Sequence, residues 1–192
     1  MQRSFVFLAE GFEEIEALTP VDGLRRAGMD VKTVSITDSH QVTGAHGVTV
    51  TADLTFRQAD FDGAEWLICP GGLPGAQNLH EFGALGDLLK VHASKGKIAA
   101  ICASPAMVLA PLGLLEGKEA TGYPGTEKGL KAGGAIVRDE RVVVSGNIIT
   151  ANGPTSSLRF ALAIISNSLG SHCAQEVGSA MLVYGKQIDF YF

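Results

Sequence analysis

Cys102 closes an apolar run, Lys97-Ile98-Ala99-Ala100-Ile101, and is followed by Ala103-Ser104-Pro105-Ala106. Ser104 is a suitable N-cap and Pro105 suits a first helical position, so the segment predicts a strand that turns sharply into a helix. A thiol on such a turn is a candidate nucleophile, because the partial positive charge of a helix N-terminus favours thiolate and lowers the thiol pKa. The competing reading is a small buried hydrophobe, the commoner fate of a free cysteine.

Two further groups could complete such a site. Glu13, Glu14 and Glu16 open a helical pattern that runs to about Ala27. The helix macrodipole accounts for Glu13 and Glu14 without any further role. Glu16 shares a stripe with Pro20, Gly23 and Ala27, compact residues that permit close packing on neighbouring backbone. Burial at the top of that stripe would raise its pKa and let it hold a proton beside a thiolate. The alternative is a solvated carboxylate. The second group is Pro70-Gly71-Gly72-Leu73-Pro74-Gly75, which lacks the Gly-Lys-Ser/Thr of a phosphate loop and does not match GxGxxG. Its adjacent glycines can present backbone N–H groups to a developing oxyanion, with the N–H of Ala103 as a second donor. A tight turn that needs glycine explains the same residues.

Other chemistries find less support. His40, His46, His80, His92 and His172 are scattered and complete no triad, and G-x-S-x-G is absent. Cys69 falls inside a strand and Cys173 inside a helix, so both read as structural. The three cysteines form neither a disulfide framework nor a Cys/His metal spacing, so no metal is expected. With 46% hydrophobic residues, 18% charged residues and a net charge of −5, the chain is globular. It has no basic run that would suggest a nucleic-acid or anionic-membrane partner. No apolar stretch approaches a membrane span and no signal-peptide core precedes the first strand, so a reducing cytoplasm is the expected location.

The elements that must position these residues follow from periodicity. Apolar runs at Ser4–Ala9, Val31–Ile36, Trp66–Cys69 and Lys97–Ile101 read as buried strands, and the first pair is a βαβ opening that favours parallel pairing. Gly47–Ala52 reads as part of an excursion hairpin, and one helix should follow Gly75 through about Ala93. Gly113–Gly134 reads as loop. Strands are expected at residues 135–137, 142–144 and 148–150, then a helix to about Leu169 and another over His172–Val183. The 192 residues fit one domain, 1–192, and the expected fold is a three-layer α/β sandwich. In such sheets, ligands bind beyond the carboxyl ends of the strands, where Glu16, Gly71-Gly72 and Cys102 would meet.

Together, LAEGFEEIEALTPVDGLRRAG, ICPGGLPGAQNL, KIAAICASPAMVLAPLGLL and NGPTSSLRFALAII resemble the DJ-one/ThiJ/PfpI superfamily, in the branch of the human Parkinson's-associated deglycase and its bacterial relatives. The resemblance covers essentially the whole chain in order. It implies a flavodoxin-like αβα sandwich with a mostly parallel sheet, commonly a homodimer. It implies a nucleophile elbow at Cys102, a protonated partner at Glu16 and backbone donors at Gly72 and Ala103, with Gly71 and Tyr123 as pocket residues.

Members are described as cofactor-free glyoxalases or deglycases acting on small aldehydes and dicarbonyls such as methylglyoxal, as oxidative-stress sensors, or as chaperones. Two departures are informative. The Thr-His-Pro context of animal members is here Gly122-Tyr123-Pro124, and a phenol is a poor base at neutral pH. The histidine that directly follows the cysteine in the protease-like branch is here Ala103, which argues against a peptidase. The expected activity is therefore thiolate addition to a small reactive carbonyl, with a cysteine that oxidises to sulfinate as the non-enzymatic rival.

Overall fold

The structure is a computed structural model that describes residues 2–183. Its frame is a seven-stranded sheet built from β1 (Arg3–Leu8), β2 (Asp30–Ser35), β5 (Leu54–Thr55), β6 (Trp66–Cys69), β7 (Lys97–Ile101), β10 (Val142–Ser145) and β11 (Ile148–Ala151). The order across the sheet is β10-β11-β7-β6-β1-β2-β5, and every pairing is parallel except β10 with β11. β3 (Gln41–Thr43) and β4 (Thr49–Thr51) form the separate antiparallel hairpin.

The central strands are continuous apolar runs because both faces are covered by helices. Phe5, Phe7, Leu67, Cys69 and Ile98 pack on one side under α2 (Gly75–Glu81) and α3 (Gly83–His92). Val6, Leu8, Ile68 and Ile149 pack on the other under α1 (Glu14–Arg26), α5 (Ser157–Leu169) and α6 (Ser171–Ala180). Among the described residues no helix is long and apolar enough to cross a membrane.

The expected fold class and strand set are present, with four local differences. The helix expected from Gly75 to Ala93 is broken at Phe82 (φ −80°, ψ 85°), whose ring meets Phe56 edge-on at 4.9 Å. The stretch expected to be loop contains β8 (Glu119–Ala120), paired with β9 (Ile136–Val137), and α4 (Glu127–Ala132), which buries Leu130. α6 stops at Ala180, and Leu182 takes a left-handed φ of 61°. The segment after Cys102 is a π-helical turn over Pro105–Leu109 and a 3-10 turn over Ala110–Leu112. Met1 and residues 184–192 of the expected domain lie outside the described residues.

Candidate active site

β7 ends at Ile101, and the next residue reverses the chain. Cys102 has φ 65°, a left-handed conformation that costs a non-glycine residue about 1–3 kcal/mol unless its surroundings impose it. They do: the Cys102 N–H donates to the Ala151 carbonyl at 2.9 Å, and its own carbonyl accepts from the Tyr123 N–H at 2.7 Å. The elbow is thereby clamped between β11 and the segment after β8. Ser104 is not an N-cap. It has helical dihedrals, makes no capping bond, and its fully buried hydroxyl donates to the Pro70 carbonyl.

Glu16 comes to the same place from α1. Its stripe packs as expected: Pro20 and Gly23 are buried, and a Cβ on Gly23 would sit 3.2 Å from the Ala161 methyl of α5. Glu13 is more than an acid near a helix dipole. It is the N-cap, accepting from the Glu16 N–H at 2.7 Å, and it is itself buried. In a capping box the carboxyl of the third helical residue returns to the N-cap N–H. Here the Glu13 N–H donates instead to the Gly71 carbonyl at 3.0 Å, and Glu16 Oε2 accepts the Gly71 N–H at 2.9 Å. Gly71 thus takes up the N-cap N–H and the carboxyl that would have served it. The Glu13-x-x-Glu16 spacing has the form of a capping box and could have signalled this arrangement, which the macrodipole explanation of Glu13 misses.

The glycines are dictated by close approach. A Cβ on Gly71 would lie 2.6 Å from both Cys102 Cβ and Glu16 Oε2. Gly72 has φ 89° and abuts the backbone of Gly11, Phe12 and Glu13. The N–H groups of Gly72 and Ala103 favour the ionised form of the Cys102 sulfur, against the upward push of its surroundings. Tyr123 is half exposed, its backbone holds the Cys102 carbonyl, and its ring lies against Gly153. The structure therefore brings Cys102, Glu16, Gly71, Gly72 and Ala103 together, with Tyr123 joined through its backbone.

The electrostatics correct one expectation. Burial pushes the Cys102 thiol up to about 12, and the charge and hydrogen bond of Glu16 push the same way, against the Gly72 and Ala103 N–H groups. A lowered thiol pKa was expected from a helix N-terminus, but an irregular π and 3-10 segment replaces a regular helix there. Glu16 is raised to about 7, chiefly by burial and further by Glu13, while Cys102 and the Gly71 N–H pull it down.

Glu16 Oε1 is buried without a hydrogen-bond partner, so its contact with the thiol shifts both groups without being a well-aligned hydrogen bond. Beyond burial, the part of the upward push that comes from charge belongs to an ionised neighbour. Once Glu16 holds a proton, repulsion becomes donation, and the pair is best described as one unit with a raised first ionisation.

The remaining candidates are accounted for elsewhere. Cys69 is fully buried and raised to about 12 by burial alone, as a structural thiol should be. His40 Nδ1 meets the Ala52 carbonyl, and His92 is buried against the Glu65 and Lys97 carbonyls. Glu13, Glu14 and His46 place ligand atoms within 4.8 Å of one another, but these are the helix cap and the paired contacts of Glu14 with His46.

A sheet edge that presents a buried carboxyl, two glycine N–H groups and a thiol on a left-handed turn can be compared with known proteins. Residues 2–167 match the model of the DJ-1/PfpI family. The chain is 37% identical over 185 residues to the Parkinson disease protein 7 homolog of Danio rerio, covering 95% of this chain and 97% of that protein. It is 36% identical over 177 residues to Protein DJ-1 homolog A of Arabidopsis thaliana, covering 92% of this chain but only 45% of that longer protein. A second Arabidopsis relative, Protein DJ-1 homolog B, is covered to 40% of its length, so the chain spans less than half of both plant proteins. Among solved structures, oxidized Toxoplasma gondii DJ-1 superposes with a TM-score of 0.90 at 37% identity, covering 95% of this chain and 98% of that one. Drosophila melanogaster DJ-1beta superposes with a TM-score of 0.89 at 36% identity, covering 94% and 97%. The match over residues 2–167 and a relative 37% identical along nearly its whole length agree, and the chain belongs to the DJ-1/PfpI family.

Proposed function

We propose that the protein is a single-domain, cofactor-free cysteine enzyme acting on small reactive carbonyls such as methylglyoxal, of glyoxalase or deglycase type. The observation that carries this reading is the buried Glu16 carboxyl beside Cys102, with one oxygen fixed by the Gly71 N–H and the other unpartnered. The Cys102 thiolate adds to the aldehyde carbon, forming a C–S bond, and the resulting alkoxide is steadied by the Gly72 and Ala103 N–H groups and takes a proton from Glu16. Glu16 carboxylate then removes the proton from that carbon and returns it to the neighbouring carbonyl carbon through an enediol, leaving a lactoyl thioester on Cys102. Water hydrolyses the thioester, so methylglyoxal and one water give lactate and the free thiol. A carboxyl with a pKa near neutrality suits both halves of this proton shuttle, and no step requires the missing histidine at Tyr123.

The non-enzymatic reading is an oxidation sensor in which Cys102 becomes a sulfinate that accepts a hydrogen bond from protonated Glu16. The oxidized state of the Toxoplasma relative favours keeping it in view. Exposed Ile15 and Leu18 on α1 and Val48 in the hairpin support assembly into a homodimer.

Lactate measured after incubation with methylglyoxal, for the wild type and Cys102→Ser, tests the enzymatic reading. Production by the wild type and none by the variant is expected, and equal turnover by both would sink it. Absence of turnover, together with a gain of about two oxygens confined to Cys102 after mild peroxide, selects the sensor reading.

A further inference from the structure

The two loops that supply donors to the sulfur belong to different strands. Gly71 and Gly72 follow β6, whereas Cys102 and Ala103 follow β7. The ladder between these strands ends at the pair Cys69 and Ala100, after which β7 runs on to Ile101 beside β11. Beyond that point, among the described residues, the side-chain hydrogen bond between them runs from the fully buried Ser104 hydroxyl to the Pro70 carbonyl. Pro70 is buried too, and among the described residues no other donor reaches its carbonyl. The cross-tie therefore lies one residue before Gly71, which abuts Cys102 Cβ, and two after Cys102, on the two segments whose N–H groups favour the ionised sulfur.

We propose that Ser104 is a positioning residue, whose hydroxyl fixes the spacing of the Gly72 and Ala103 N–H groups and thereby sets the reactivity of Cys102. Cys102 Cβ is already in contact with Gly71, so the two turns can separate but cannot approach. Loss of the tie has one direction: the turns part, the two donors diverge, and the anionic sulfur loses stabilisation. The Pro70 carbonyl would also be left buried and unpaired, which pushes that loop towards any competing donor. This inference rests on the reading of Cys102 as a reactive thiol, but not on turnover of a carbonyl.

Alkylation by iodoacetamide, followed thiol by thiol by peptide mass spectrometry over a range of pH, tests it in the intact chain. Ser104→Ala should slow modification of Cys102 at neutral pH about tenfold, the effect of weakening a donor to an anion without removing it, and should move the midpoint of its pH profile upwards. Cys173, partly exposed on α6, should react at the wild-type rate, and Cys69 should stay protected. A Cys102 rate within about twofold of wild type, or an unmoved midpoint, overturns the proposal. So does Cys69 becoming as reactive as Cys102, because the hydroxyl would then be holding the fold and not the donors. A wild-type Cys102 that stays as protected as Cys69 overturns the proposal together with the reading of Cys102 as a reactive thiol. The absence of lactate production leaves this test untouched.

Discussion

Glu16→Gln should change how stability depends on pH, in a direction that the burial of Glu16 determines. The carboxyl moves from an ordinary 4.5 to about 7 in the folded chain, chiefly because burial disfavours its charged form. A carboxyl with a raised folded value binds its proton more tightly in the native state, so its contribution is complete at low pH and is lost as pH rises from 4.5 towards 7. The shift corresponds to about 3 kcal/mol in total, of which about 2–3 kcal/mol falls between roughly pH 5 and pH 8.

Glutamine keeps the acceptor for the Gly71 N–H and places an amide donor towards the sulfur, but it cannot ionise. Urea unfolding of both proteins across that range isolates the effect as a difference curve, free of carboxylates such as Asp53 that both share. A Cys102→Ala background in both removes the thiol's own titration. It also removes the thiol contact that lowers Glu16, so the drop should grow. Wild type should lose about 2–3 kcal/mol relative to the variant as pH rises through this range. A curve flat to within about 0.5 kcal/mol, or one that rises with pH, would refute the argument that burial dominates this carboxyl.

Two other expectations follow from contacts already described. Gly71→Ala puts a methyl 2.6 Å from Cys102 Cβ and Glu16 Oε2, so the elbow or the carboxyl must move by about an ångström. Thermal unfolding should report about 1–3 kcal/mol of destabilisation and kcat for methylglyoxal should fall about 100-fold, whereas an unchanged kcat would show that the site tolerates the displacement. His46, fully exposed but bonded through Nδ1 to Glu14 Oε2 at 2.7 Å, is raised from 6.5 by that contact. Its ring protons should titrate above that value by NMR and return to it in Glu14→Gln. The pairing is complete below pH 6.5 and is lost as pH rises through the folded value. An identical midpoint in both proteins would dismiss the ion pair.

Much of this architecture is legible in the chain because the central strands are buried on both faces and therefore read as unbroken apolar runs. Glu16 is legible for a related reason: Pro20 and Gly23 mark a helix face built for close packing, and an acid above them is carried into the interior. What does not read from the sequence depends on partners far along the chain. Ser104 has the residue type of a cap, yet the Pro70 carbonyl, 34 residues earlier, takes its hydroxyl. A strand-to-helix turn in the sequence signals a dipole that favours thiolate, whereas the burial that outweighs it comes from α1 and the β6 loop. Phe82 interrupts a helical stretch because aromatic packing on Phe56 outweighs helix continuity, and Phe56 lies 26 residues away.

The walls around Cys102 differ in what they can become. On the β6 side, backbone lies on backbone: any side chain at Gly71 or Gly72 runs into Cys102, Glu16 or the main chain of residues 11–13. On the other side Tyr123 anchors Cys102 through its main chain alone, while its ring stays half exposed. Side-chain identity at position 123 is thus decoupled from the geometry of the elbow. Selection, or a designer, can alter the size and polarity met by an incoming molecule there without disturbing the sulfur, the carboxyl or the donors that hold them in register.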